Sequence, residues 1–273
     1  MHVSILLGEV AILLDLRIRI SKYPGTPEDR LLLSHTLDLL EQGSQKDRLT
    51  YTDFLTPAEQ ALITQQLSIL HPVFFGGHPE SERRICLYLP EYLTLEELSQ
   101  DGPITAFRAA FSPREKLTHR DFLGSLMGCG IERSCIGDLF VREGFCDFFL
   151  TKAISPYVRQ NLLSAGRVPV SVTEISLEDV VIPEKKSRIL QDTVASLRLD
   201  SICSAAFRMS RERASAAIRA GKVSVNSLPC EKADRLLREG DAVSLRGSGK
   251  AVLDEIGGNT RKGRISITIR VLL

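Results

Sequence analysis

Residues 198–246 constrain this chain more than any other stretch. Arg198-Leu199-Asp200 opens a run in which Leu199, Ile202, Cys203, Ala206 and Phe207 recur at i, i+3, i+4, i+7 and i+8, the spacing of an amphipathic helix. Ser210 is a good N-cap for a second helix with an inward stripe of Ala214, Ala217 and Ile218, and Gly221 stands at the C′ position that closes it. Those alanines let the second helix pack closely on the first. Its other face then presents Arg211, Arg213, Arg219 and Lys222. Val223, Val225, Val243 and Leu245 alternate as short strands. Guanidinium groups fork onto phosphate oxygens, lysine acts as a point charge, and the free N–H groups at a helix start hold anions. The surface suits the phosphates of folded RNA.

Charge is distributed to match. The net charge is only +1, but residues 185–273 hold 18 Lys+Arg against 9 Asp+Glu, and residues 1–184 hold 17 against 25. A basic module on an acidic body points to a nucleic-acid partner. The six cysteines form no C-x-x-C pair and lie near no histidine at zinc-ligand spacing, so reduced thiols in a cytoplasmic protein are expected, with no metal and no cofactor. Met1–Ile20 is apolar but broken by Glu9 and Asp15, with no basic residue ahead of it and no cleavage site behind it. Its uninterrupted runs are far shorter than the roughly 18–20 residues of a membrane span. Residues 1–25 are therefore expected to be an extension, strand or short helix, and no membrane partner follows.

Over 26–100 a helical segment with one strand is expected. Thr26-Pro27 and Thr56-Pro57 each cap and start a helix, the two joined by a polar loop, and Ile85–Leu89 alternates as a strand. Over 101–180 the order is strand (104–111), helix (118–127), strand (136–141), strand (145–150), helix (155–163) and strand (168–175). That β-α-β-β-α-β order is the ferredoxin-like arrangement, which RNA recognition motifs share. The third strand, Phe145–Phe149, is aromatic but lacks the basic-glycine-aromatic pattern of such motifs, so Phe148 is expected in the core. A linker over 181–197 leads to the C-terminal module over 198–273, with its basic tail. The fold class is α+β.

Several motifs carry a resemblance. Arg198-Leu199-Asp200, Ser210-Arg211, Ala217-Ile218, Gly221-Lys222-Val223, Val225-Asn226 and Gly240-Asp241 resemble an S4 RNA-binding domain, the αL-type module of ribosomal protein S4 and many pseudouridine synthases. The runs Arg246–Lys250 and Gly257–Arg264 resemble the end of the YlmH family. Asp53–Pro57, Phe75–Gly77 with Ser81–Arg83, Thr118–Gly124, Gly130–Arg133 and Ile136–Asp138 resemble that family's body. Ser81 departs from the family's usual alanine.

The resemblance implies a non-enzymatic factor that binds rRNA and tRNA on the large ribosomal subunit carrying peptidyl-tRNA, in rescue of stalled ribosomes. It is expected to be a monomer. The implied RNA-binding residues are Arg198, Ser210, Arg211, Arg213, Arg219, Lys222 and Asn226, continued by Arg246, Lys250, Arg261, Lys262 and Arg264. Arg83, His119 and Arg120 are candidates for a secondary RNA or partner contact. The alternatives are an RNA-modifying enzyme using the module as a handle, or a division-associated interaction protein. Against an enzyme, the module stands at the end of the chain, no glycine-rich cofactor loop follows a strand, and no paired carboxylates appear. His119-Arg120-Asp121 is not a kinase loop, because Leu126 stands where that loop needs asparagine. Thr118 and Asp121 are instead expected to cap a helix.

Overall fold

Threonine caps with acidic residues three positions on set the helical register of the N-terminal half. The computed structural model describes residues 2–183, 186–261 and 263–272, with side chains from residue 11 onward. It is a mixed α+β structure in two compact units, residues 1–182 and 183–273. In the first, α1 (His2–Ser21) precedes α2 (Pro27–Lys46). The Asp29 N–H donates to Thr26 Oγ1 at 3.1 Å and the Thr26 N–H to Asp29 Oδ2 at 2.9 Å, a reciprocal capping box. Thr56 and Glu59 repeat it at the start of α3 (Pro57–Gln66).

The N-terminal extension departs from expectation, being one 20-residue helix rather than a strand or short helix. The Leu16-Arg17-Ile18-Arg19-Ile20 alternation imitates a strand, but the buried positions are Leu16 and Ile20, with Leu13 half-buried, at helical spacing. Arg17 bridges Asp38 and Glu41 of α2 at 2.7 and 2.6 Å. No helix among the described residues is long and apolar enough to cross a membrane.

The loop after α2 contains a short strand, β1 (Thr50–Tyr51). With β2 (Val73–Phe75) and β3 (Ile85–Tyr88) it makes a three-stranded sheet of order β1-β3-β2. After α4 (Leu95–Asp101) come β4 (Ile104–Ala110), α5 (His119–Gly128), β5 (Ile136–Val141), β6 (Phe145–Thr151) and α6 (Ser155–Asn161). A small hairpin, β7 (Ser164–Ala165) with β8 (Val168–Pro169), precedes β9 (Ser171–Ile175), which is shorter than the expected 168–175 strand. The four long strands form an antiparallel sheet of order β5-β6-β4-β9.

Both faces of this sheet are covered. Phe107, Cys146 and Phe148 pack with Phe122 and Leu126 of α5 and Val158 of α6. Ala106 and Phe149 point the other way, onto Phe54, Ile85, Leu87 and Leu98. The 26–100 segment is thus the sheet's second layer, and Phe148 and Phe149 are both fully buried.

The second unit is a six-stranded antiparallel sheet with two helices. Its strands are β10 (Ser187–Val194), β11 (Val223–Val225), β12 (Leu228–Pro229), β13 (Ala242–Leu245), β14 (Gly249–Asn259) and β15 (Ile265–Leu272), in the order β10-β15-β14-β13-β11-β12. Its helices are α7 (Leu199–Ala206) and α8 (Arg211–Arg219). Two segments named from sequence only as a linker and a basic tail contain strands. Within the 181–197 linker, Ser187–Val194 form β10, paired with β15 from Ser187↔Leu272 to Val194↔Ile265. Its polar sequence suits a sheet edge, where only part of the strand is buried. The basic tail is a long β14–β15 hairpin, because Leu253, Ile267, Ile269 and Val271 belong to the unit's core.

Candidate RNA-binding surface

The arrangement of cations on the second unit follows from how α8 lies on α7. Leu199, Ile202, Cys203 and Ala206 bury one stripe of α7, and Ala214 and Ile218 bury the facing stripe of α8. Ser210 caps α8, its Oγ accepting the Arg213 N–H at 3.2 Å. Arg211 lies three and seven residues before Ala214 and Ile218, so it borders the buried stripe rather than the exposed face.

That position explains its partner. Arg211 Nη2 lies 3.2 Å from Asp200 Oδ1, and Arg198 Nη2 lies 3.0 Å from Asp200 Oδ2. Asp200 is buried, and burial alone pushes its carboxyl pKa up. Hydrogen bonds from Arg211 and Arg198 outweigh burial and hold it below the usual carboxylate value. Its stabilising contribution is therefore present above the unfolded carboxyl pKa of about 3.9 and is lost as pH falls through the lower folded value. Asp200→Asn is expected to lower urea stability at pH 7, with the gap to the parent chain narrowing by pH 2.5. An equal gap at both pH values would show that the charge is not what matters.

The other expected residues divide into free and committed groups. Arg213, Arg219, Lys222 and Arg246 are exposed, and their side chains make no hydrogen bond or ion pair among the described residues. The same holds for Arg261 on the β14–β15 turn. Lys222 and Arg246 are brought together by pairing of Val223 with Leu245, and both line a shallow cleft of about 250 Å³. Lys250 is half-buried on β14, opposite Ser244. Asn226 is committed to its own turn. It sits at φ 51°, its amide donating to Asp241 at 2.7 Å and accepting the Ala242 N–H at 2.8 Å. Arg264 donates through Nε to Thr193 Oγ1 at 3.0 Å. Lys262 lies outside the described residues.

Of the secondary candidates, Arg83 is a strut. Its guanidinium donates to the backbone carbonyls of Phe54 at 2.7 Å, Ile136 at 2.9 Å and Arg133 at 3.3 Å. Burial lowers its pKa, as expected for an inward-turned cation. His119 and Arg120 are exposed on the first turn of α5. Thr118 and Asp121 cap that helix, the Thr118 N–H donating to Asp121 Oδ2 at 2.8 Å. Arg114 and Lys116, exposed on the loop ahead of α5, were not singled out from sequence. Their signal was composition: residues 107–179 hold 9 Lys+Arg and 9 Asp+Glu, so the acidic excess belongs to the segment before them. Among the described residues no group of three or more His, Cys, Asp or Glu could hold a metal.

Comparison with known proteins places these features in context. Residues 107–179 match a family described as "Putative RNA-binding domain in YlmH". The chain is 33% identical over 245 residues to "Ribosome-associated protein quality control protein P2" of Bacillus subtilis (strain 168), across 88% of this chain and 94% of that protein. Among solved structures, "Cell division protein ylmH from Streptococcus pneumoniae" aligns with a TM-score of 0.46 at 23% identity, covering 57% of this chain and 95% of that one.

Proposed function

This chain belongs to the YlmH family, and from that premise we propose that it is a non-enzymatic factor that binds structured RNA on the ribosome. The carrying observation is the set of cations on the second unit that are exposed and have no side-chain partner among the described residues: Arg213, Arg219, Lys222, Arg246 and Arg261. We read that unit as an S4 domain elaborated by the β10–β15 edge and the β14–β15 hairpin. We read the β5-β6-β4-β9 sheet with α5 and α6 as ferredoxin-like, contributing RNA contacts from the loop that bears Arg114, Lys116, His119 and Arg120. The ligand is rRNA and tRNA on a large subunit that still carries peptidyl-tRNA, and the role is rescue of stalled ribosomes by a cytoplasmic monomer. The Bacillus subtilis relative, named for ribosome-associated quality control, supports the assignment.

Such a surface reads backbone shape more than sequence. If about six to eight phosphates are neutralised, affinity falls on the order of 10³-fold or more between 50 and 200 mM salt. The test is binding of the full chain to purified large subunits and to their deproteinised rRNA across that salt range. Arg213→Ala with Arg219→Ala is the informative variant, because Arg211→Ala would also strip a partner from buried Asp200. The double variant is expected to lose roughly tenfold in affinity per contact, with an unchanged melting temperature. Parent-like affinity in the folded double variant would refute the surface.

A further inference from the structure

A second set of arginines surrounds a depression that the exposed face of α8 does not use. It holds about 390 Å³ and lies between the end of β10, the outer side of α7 and the β14–β15 turn. Its polar wall is Thr193, Ser201, Ser204, Arg208, Arg211 and Arg264. Among the described residues Asp192 is the one carboxylate on the wall, and it accepts the Thr193 N–H at 2.7 Å. Three guanidinium groups against Asp192 and the Asp200 carboxylate that holds Arg211 leave an excess of positive charge, which favours an anion.

Two of those arginines are already oriented. Arg211 is held by Asp200, and Arg264 by Thr193. Each bond uses part of a fork of five donors and leaves the remainder available. Arg208 differs: it is exposed and makes no side-chain hydrogen bond or ion pair among the described residues.

The backbone at Arg208 makes its identity informative. α7 ends at Ala206, and Arg208 takes up φ 52°, the left-handed conformation that follows a helix. The turn is tied by the Met209 N–H donating to Ser204 O at 3.2 Å, and by Ser204 Oγ donating to Met209 O at 2.7 Å. Glycine is the low-cost residue at such a position, and a residue with a Cβ is disfavoured there by roughly 1–2 kcal/mol. Asn and Asp offset that with local hydrogen bonds, an option the Arg208 side chain does not take. Arg208 thus stands at the lip of a cationic depression in a disfavoured backbone conformation, exposed and without a side-chain partner among the described residues.

We infer that this depression seats one phosphate group of the bound RNA, with Arg208 closing on it opposite the pre-oriented Arg211 and Arg264. The seat rests on the RNA-binding reading above and adds a phosphate contact separate from the exposed face of α8. Small wall residues, Ser201, Ser204 and Ala205, leave room for a phosphodiester beside the arginines.

The test uses the full chain carrying Arg208→Gly, a change that removes the side chain and relieves its backbone. The melting temperature is expected to stay level or rise. Affinity for deproteinised large-subunit rRNA is expected to fall about tenfold, and the slope of log affinity against log salt to become shallower by about one. Arg208→Lys should recover part of both. Parent-like affinity and slope in Arg208→Gly, alongside weakened binding by Arg213→Ala with Arg219→Ala, would leave the RNA reading standing and remove the seat. A lower melting temperature with an unchanged slope would make Arg208 structural and likewise remove it. If the parent chain binds no rRNA, the RNA reading fails and inorganic pyrophosphate decides. Thermal stabilisation of the parent but not of Arg208→Gly keeps a phosphate seat for another ligand, and no stabilisation overturns it.

Discussion

An Arg108→Ala variant is expected to be about 3 kcal/mol less stable than the parent chain. Arg108 and Asp147 are direct partners across β4 and β6. The guanidinium donates through Nε and Nη2 to Oδ1 and Oδ2 of Asp147, both at 2.7 Å. Asp147 is fully buried, while about a third of the Arg108 side chain (31%) meets water. Removing the arginine strands a buried carboxylate, which costs about 3–5 kcal/mol in a dry site. Access of water to the arginine places the expectation at the lower end. Asp147 Oδ2 also accepts the Val181 N–H at 2.9 Å, and Arg108 Nη2 donates to Asp179 O at 3.0 Å. The pair therefore pins the segment after β9, and the Val181 amide should exchange with deuterium faster in the variant. Urea unfolding is the measurement. A loss below about 0.5 kcal/mol would mean that the pair behaves as an ordinary surface ion pair. Arg108→Leu with Asp147→Leu should recover much of the stability, because replacing both partners leaves no charge unpaired.

Pairs of this kind mark where sequence reading stops. The caps at Thr26, Thr56 and Thr118 were legible because each is closed by a residue three positions away. The alternation of helices and strands from Ile104 to Ile175 was legible for the same reason: its period is local. What was hidden depends on contacts across long stretches of chain. β10 reads as a linker because an edge strand needs few apolar residues, and its partner β15 lies more than seventy residues on. Arg83 reads as a surface cation because the carbonyls it reaches lie on Phe54, Arg133 and Ile136. Arg211 looks equivalent to Arg213 until α8 is laid on α7 and one of the two meets Asp200. Arg213, Arg219 and Lys222 stand where sequence placed them, on the surface, because that expectation asks only for exposure.

The aromatic strand β6 offers the second large effect. Phe148→Ala is expected to cost about 3–5 kcal/mol of stability, with rRNA affinity retained wherever the variant is still folded. Phe148 pairs with Phe107 across the sheet, their rings stacked at 5.8 Å with an interplanar angle of 20°. Both rings lie under α5 and α6, and neither is exposed. In an RNA recognition motif, central-strand aromatics stack on bases from an open sheet face. Here the opposite face is closed as well. Phe149 meets Phe140 edge-on at 6.1 Å, and a Cβ added at Gly77 or Gly137 would come within 2.9 Å of the Phe149 side chain. Unfolding in urea, with rRNA binding measured below the transition, separates the two roles. A stability loss under about 1 kcal/mol together with lost affinity would restore the base-platform reading. With Phe148 and Phe149 each packed into a core, neither ring is open to a base, whereas Arg114, Lys116, His119 and Arg120 are exposed ahead of and at the start of α5.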